Sequence, residues 1–109
     1  MLVKTRGACL FGMDAIGIHV EVNVSMGQGY CIVGLPDTAV KESLHRTEIA
    51  IKANGFQMPR TKLVINLAPA DIKKTGPAFD LPIAIGILAA SDQILNSSVL
   101  TQFLMLGEL

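Results

Sequence analysis

Tryptophan is missing from this 109-residue chain, tyrosine occurs once and phenylalanine four times. Any core must therefore be aliphatic. Half of the residues are apolar, enough for one small domain to bury a real interior. Charge is scarce as well, at 17% of residues, where about a quarter is usual. Low charge with high apolar content excludes disorder and leaves apolar surface for a partner or further chain to cover. Nine basic residues balance nine acidic ones. A free-standing nucleic-acid-binding domain draws affinity from a basic excess that neutralises phosphate. That excess is absent, so strong DNA binding by this piece alone is not expected, although a few clustered cations could act within a ring of subunits.

Cys9 and Cys31 are the only cysteines. They lack the paired spacing of a zinc or redox motif and read as small buried hydrophobes in a reducing compartment. The charged start, with Lys4 and Arg6, is not a signal peptide. The longest apolar run, 81–90, is broken by Pro82 and Gly86. It falls short of the roughly 20 residues that span a bilayer. A cytoplasmic protein without membrane contact is expected. No Gly-x-x-x-x-Gly-Lys-Ser/Thr string, whose backbone amides and lysine would surround a phosphate, occurs. Gly27-Gln28-Gly29 lacks the third glycine of a dinucleotide motif and reads as a turn.

Residues 2–11 read as a strand, with Lys4 and Arg6 on one face and Val3 and Thr5 on the other. Ile16, Ile18, Val20, Val22, Val24 and Met26 then alternate with Gly17, His19, Glu21, Asn23 and Ser25. That period of two marks a long strand buried on one face. The 27–29 turn predicts a hairpin into a short strand at 30–33. Asp37 or Thr38 can cap a helix over 38–53, with Val40, Leu44, Thr47 and Ile51 inside. Glu42–Arg46 and Glu48–Lys52 form i,i+4 pairs on its solvated side. Asn54-Gly55 stops the helix. A strand over 61–67 buries Leu63, Ile65 and Leu67. After a loop at 68–79, Asp80 caps a helix over 81–90 that is apolar all round and therefore enclosed. A last strand is expected at 103–106, ending abruptly as a truncated domain would. The element order indicates an α+β domain.

Three stretches carry a resemblance: Val33 to Ser43, Val64 to Asp71, and Lys74 to Ala84, read as VGLPDTAVKES, VINLAPAD and KTGPAFDLPIA. In this order and without gaps, they resemble the N-terminal domain of magnesium-chelatase-like, competence-associated ATPases of the ComM/YifB type. The resemblance covers nearly the whole chain, 1–109. It implies a ribosomal protein S5 domain 2-like fold, a mixed sheet with two helices packed on one face. The Lon protease domain and the C-terminal domain of the RadA recombination protein share that fold. It also implies an AAA+ module following this domain, binding ATP and magnesium and assembling as a ring. The family role implied is ATP-driven branch migration of DNA in natural transformation and recombination. Fold analogy alone does not establish function.

Each candidate site has a plainer reading. Lon-type proteases carry a serine nucleophile after Gly-Pro, but Gly76-Pro77 is followed here by Ala78. A methyl group cannot attack a carbonyl, so a peptidase is disfavoured. Ser91, Ser97 and Ser98 fall at the wrong end of the helix to substitute. A magnesium-chelatase-type ATPase subunit is a further alternative. His19 and Glu21 share a solvated strand face, and His45 reads as exposed. Two such groups do not make a metal site. Asp71 could pair with Lys73 or Lys74. Arg60 and Lys62 alternate at a strand start, and Lys73 and Lys74 lie in the loop before the enclosed helix. If strand end and loop approach one another, the four cations would form a phosphate-binding patch. Solvated surface charge is the favoured reading of the same residues. No catalytic residue and no cofactor is expected within this domain.

Overall fold

The computed structural model describes residues 1–95 and 97–109, leaving out the Ser97 side chain. Strand β1 (Leu2–Phe11) turns at Gly12 and Met13 into β2 (Asp14–Ser25), pairing antiparallel from Leu2 opposite Asn23 to Phe11 opposite Asp14. Gly12 has φ +63°, the left-handed conformation that a tight two-residue hairpin requires. The alternation read from sequence is realised. Ile18, Val20 and Val22 are buried on one face of β2, and Val3, Thr5 and Cys9 on the matching face of β1. Met26 does not continue the stripe. It lies beyond the strand and is fully exposed.

The hairpin expected at 27–29 is not formed. Strand β3 (Tyr30–Val33) pairs parallel with β4 (Lys62–Ala68), and β4 inserts antiparallel beside β2, giving the order β1-β2-β4-β3. Both edges of β2 are thus occupied, by β1 and β4, and β3 is displaced to the far edge. A parallel neighbour requires a crossover. Helices α1 (Thr38–Lys41) and α2 (Ser43–Ala53) supply it. Asp37 caps α1, its Oδ1 accepting from the Val40 amide at 2.8 Å, as the sequence predicts. At the far end, the Gly55 amide donates to the Lys52 carbonyl and the Phe56 amide to the Ile51 carbonyl. Gly55 has φ +82°. This is the glycine-terminated helix end known as a Schellman motif.

Helix α3 (Asp80–Ala90) buries every residue except Leu81 and Ile85. It packs on β1 and β2 from one side and on α2 from the other. A Cβ at Gly86 would stand 2.6 Å from Val22 Cγ2, so glycine lets the helix axis come close to the sheet. Phe79, Ile83 and Ile87 fill the interior together with Leu63, Ile65 and Leu67. The α+β class, the mixed sheet and the two helices on one face all match expectation.

Three other expectations require correction. Residues 103–106 form no strand; a 3₁₀ turn (Ser97–Gln102) precedes an extended tail. The amides of Met105, Gly107 and Leu109 bind the Arg6 carbonyl, the Ala78 carbonyl and the Asp80 carboxylate. The tail is strand-like in its alternation, but its partners come from three elements, so no ladder results. Ser43, absent from the expected inner stripe, is fully buried beside Val40, Thr47 and Ile51, while Leu44 is half-buried and packs against the core as expected. Cys31 is exposed because it faces away from the helices on an edge strand, whereas Cys9 is buried.

Candidate functional site

The three stretches that carry the family resemblance converge on one end of the sheet. Gly34, just after β3, adopts φ +106° and lies against Leu67 of β4, where a Cβ would sit 2.1 Å from the Leu67 carbonyl oxygen. The chain then forms a short parallel bridge between Pro36 and Lys74. The Lys74 amide donates to Leu35 and the Asp37 amide to the Lys74 carbonyl. Asp37 therefore works twice. One carboxylate oxygen caps α1 and the other accepts from the Gly76 amide at 3.1 Å. This fixes the loop that leads into the 3₁₀ turn Pro77–Phe79 and on to α3.

Asp80 departs most from the sequence reading. It makes no cap hydrogen bond. Its side chain is fully buried and receives Ser43 Oγ, Arg46 Nε at 2.6 Å, Arg46 Nη2 at 3.0 Å and the Leu109 amide at 3.2 Å. A buried carboxylate needs a paired charge and several donors, and four donor groups converge here. Arg46 is correspondingly not a solvated helix residue. Its side chain also donates to the Ala39 carbonyl at 2.7 Å and keeps Glu42 at 3.7 Å. The hydrogen bond to Asp80, opposed by partial burial, raises its pKa further above the ordinary value. Ser43 is enclosed and donates to a carboxylate that Arg46 already holds through two hydrogen bonds.

Ala78 lies in the 3₁₀ turn, and its carbonyl accepts from Gly107 at 3.0 Å while the Leu81 amide donates to the Gly107 carbonyl at 3.0 Å. The tail thus lies along the turn that holds residue 78. Ser91 follows α3 and donates to Ile87, and Ser98 lies in the 3₁₀ turn Ser97–Gln102. The Ser97 side chain lies outside the described residues.

The four-cation patch is not assembled. Arg60 and Lys62 stand at the start of β4, whereas Lys73 and Lys74 follow its end. Six residue steps at about 3.3 Å separate the two pairs by roughly 20 Å. Lys74 is also fully buried, its Nζ donating to the Pro69 carbonyl, and desolvation lowers its pKa. Arg60, Lys62, Lys73 and Asp71 are exposed. Asp71 forms no ion pair with Lys73 or Lys74 among the described residues. Glu21 does not pair with His19. It accepts from Asn66 Nδ2 at 2.9 Å and approaches Lys4 at 3.8 Å. His19 and His45 are exposed. Among the described residues, no cluster of three metal-binding side chains occurs, and no helix is long and apolar enough to cross a membrane. The Asp80 cluster was missed because a single Asp before an apolar run fits a cap equally well.

An enclosed apolar helix, a mixed sheet and a motif-bearing loop tied by Asp37 define a recognisable domain class. The family described as subunit ChlI of magnesium chelatase matches residues 20–109, and this chain belongs to it. Among curated proteins it is similar to the uncharacterized protein YifB of Escherichia coli K12, 48% identical over 109 residues covering 99% of this chain and 21% of that protein. YifB of Salmonella typhimurium is 47% identical over the same share of each chain. Competence protein ComM of Haemophilus influenzae is 48% identical over 99 residues, covering 90% of this chain and 19% of that protein. The chain spans about one fifth of the length of these relatives.

Proposed function

We propose that this chain is a non-catalytic assembly and substrate-guiding domain of an ATP-driven ring that remodels DNA, acting by branch migration in natural transformation and recombination. The similarity to competence protein ComM carries this reading. The methyl group of Ala78 and the sealed Ser43–Asp80 pair support the non-catalytic part. In this reading ATP and magnesium bind an AAA+ module elsewhere in the protein, and neighbouring subunits are the partners, in the cytoplasm. The test uses the whole protein: ATP hydrolysis with and without DNA, and ATP-dependent movement of a synthetic four-way junction. Stimulated hydrolysis and junction movement are expected. Hydrolysis indifferent to DNA, with a static junction, would overturn the proposal.

The family description favours a second reading, an ATPase subunit that drives metal insertion. It predicts capture of a large tetrapyrrole-binding partner in a pull-down and no response to DNA.

A further inference from the structure

The sheet end opposite the motif-bearing loop opens into a cleft of about 940 Å³, between the C-terminal end of α2, the segment after α3 and the start of β3. That volume is at the upper end for ligand sites, which run from about 300 to 1,000 Å³. The chain has only five aromatic residues, yet two of them, Tyr30 and Phe56, share this wall and are 40% and 37% exposed. The Schellman turn at Gly55 sets Phe56, whose amide is held by Ile51. The loop after it has no regular structure but is clamped at two points. Gln93 receives the Gln57 amide at 2.8 Å and donates to the Gln57 carbonyl at 2.6 Å, while the Tyr30 hydroxyl donates to the Pro59 carbonyl. The aromatic wall is therefore held in place without a ligand. Two cations, Lys52 and Arg60, line the same cleft. Glu48 neutralises Lys52 at 2.8 Å, whereas Arg60 has no ion-pair partner among the described residues.

We propose that this cleft binds single-stranded nucleic acid, with bases stacked on Phe56 and Tyr30 and a phosphate held by Arg60. This rests on the DNA-remodelling reading above and locates its substrate contact. Zero net charge disfavours a duplex, whose affinity scales with the number of phosphates neutralised. Stacking on exposed aromatic faces requires unpaired bases and few cations. The cleft lies at the opposite end of β4 from Lys73 and Lys74, and of the four cations considered first only Arg60 lines it.

Tyr30 is the only tyrosine and tryptophan is absent, so intrinsic fluorescence reports on the cleft alone. The experiment titrates the chain with a short oligothymidylate, following tyrosine emission and the anisotropy of a labelled strand. Quenching is expected. Phe56→Leu keeps the apolar bulk and should weaken binding about five-fold or more. Arg60→Gln should weaken it and reduce the salt slope by about 0.7. Lys4→Gln, the same charge change on the open sheet face, should leave affinity unaltered. Circular dichroism matching the parent establishes that each variant is folded, and Phe56→Ala serves if Phe56→Leu is not. Absent quenching, equal weakening by Lys4→Gln, or tighter binding of a duplex of equal length would overturn the proposal. A whole protein whose hydrolysis responds to DNA while the cleft variants bind normally would sink the cleft and leave the remodelling reading standing. A whole protein indifferent to all DNA would sink that reading instead.

Discussion

Replacing Asp80 by alanine should destabilise the domain more than any surface change. The substitution removes the acceptor of Ser43, both Arg46 contacts and the Leu109 amide together. Breaking a buried ion pair from one side costs about 3–5 kcal/mol, because the remaining charge is left unpaired. The Arg46 side chain is 23% exposed and has Glu42 within 3.7 Å, so it can turn partly towards water. The lower bound, about 3 kcal/mol, is therefore expected. Total stability for such a domain is about 5–15 kcal/mol. With a urea slope near 1.5 kcal/mol/M, the unfolding midpoint should fall by about 2 M. The assay is urea unfolding followed by far-ultraviolet circular dichroism. Asp80→Leu combined with Arg46→Met should recover most of the loss, because two apolar side chains can replace a buried pair. A midpoint lowered by less than about 0.5 M, or a double variant as unstable as the sum of its single changes, would refute the reasoning.

Other perturbations probe different parts of the argument. Gly34→Ala should cost at least about 3 kcal/mol, since its Cβ would collide with the Leu67 carbonyl at a φ of +106°, and thermal unfolding reads the loss. Lys74→Met should leave stability unchanged or raise it at neutral pH, because it removes a buried charge held by one carbonyl. The Lys74 pKa is lowered in the folded state, so between that value and the unfolded one near 10.4 the unfolded chain binds more protons. Stability should rise with pH through this window, and urea midpoints should show Lys74→Met lacking that rise. Ala78→Ser should release no peptides from casein, because Gly107 already occupies the carbonyl of residue 78 and the Leu81 amide beyond it.

The sheet strands and the enclosed helix were legible because burial on one face writes itself as a period of two, and burial on all faces as an unbroken apolar run. Val20, Val22, Leu63 and Ile65 needed no tertiary knowledge. Strand order was not legible, since the 27–29 turn suits a hairpin as well as a loop to another edge. Only the competition of β1 and β4 for the two edges of β2 decides it. The polar interior was hidden for a related reason. Ser43, Arg46 and Asp80 are ordinary helix residues in sequence, and their meeting depends on how α2 packs against α3. Lys74 misled most, because a lysine in a loop beside Lys73 resembles surface charge. Its aliphatic stem instead lies inside, and only a carbonyl meets its amine. In the candidate site, Ala78 lies in the 3₁₀ turn before α3, while the four cations divide between two ends of β4.

The alternating amide contacts at residues 105, 107 and 109 also govern how mechanical load enters the domain. A pull on Leu109 is taken first by Asp80, and through it by Arg46 and α2, then by the turn at residue 78, and last by β1 at Arg6. Tension therefore reaches the helical layer before the sheet. The bond that yields first is a single amide-to-carboxylate contact of 3.2 Å. The tail should thus peel from the helices one contact at a time, while the four-stranded sheet keeps its register.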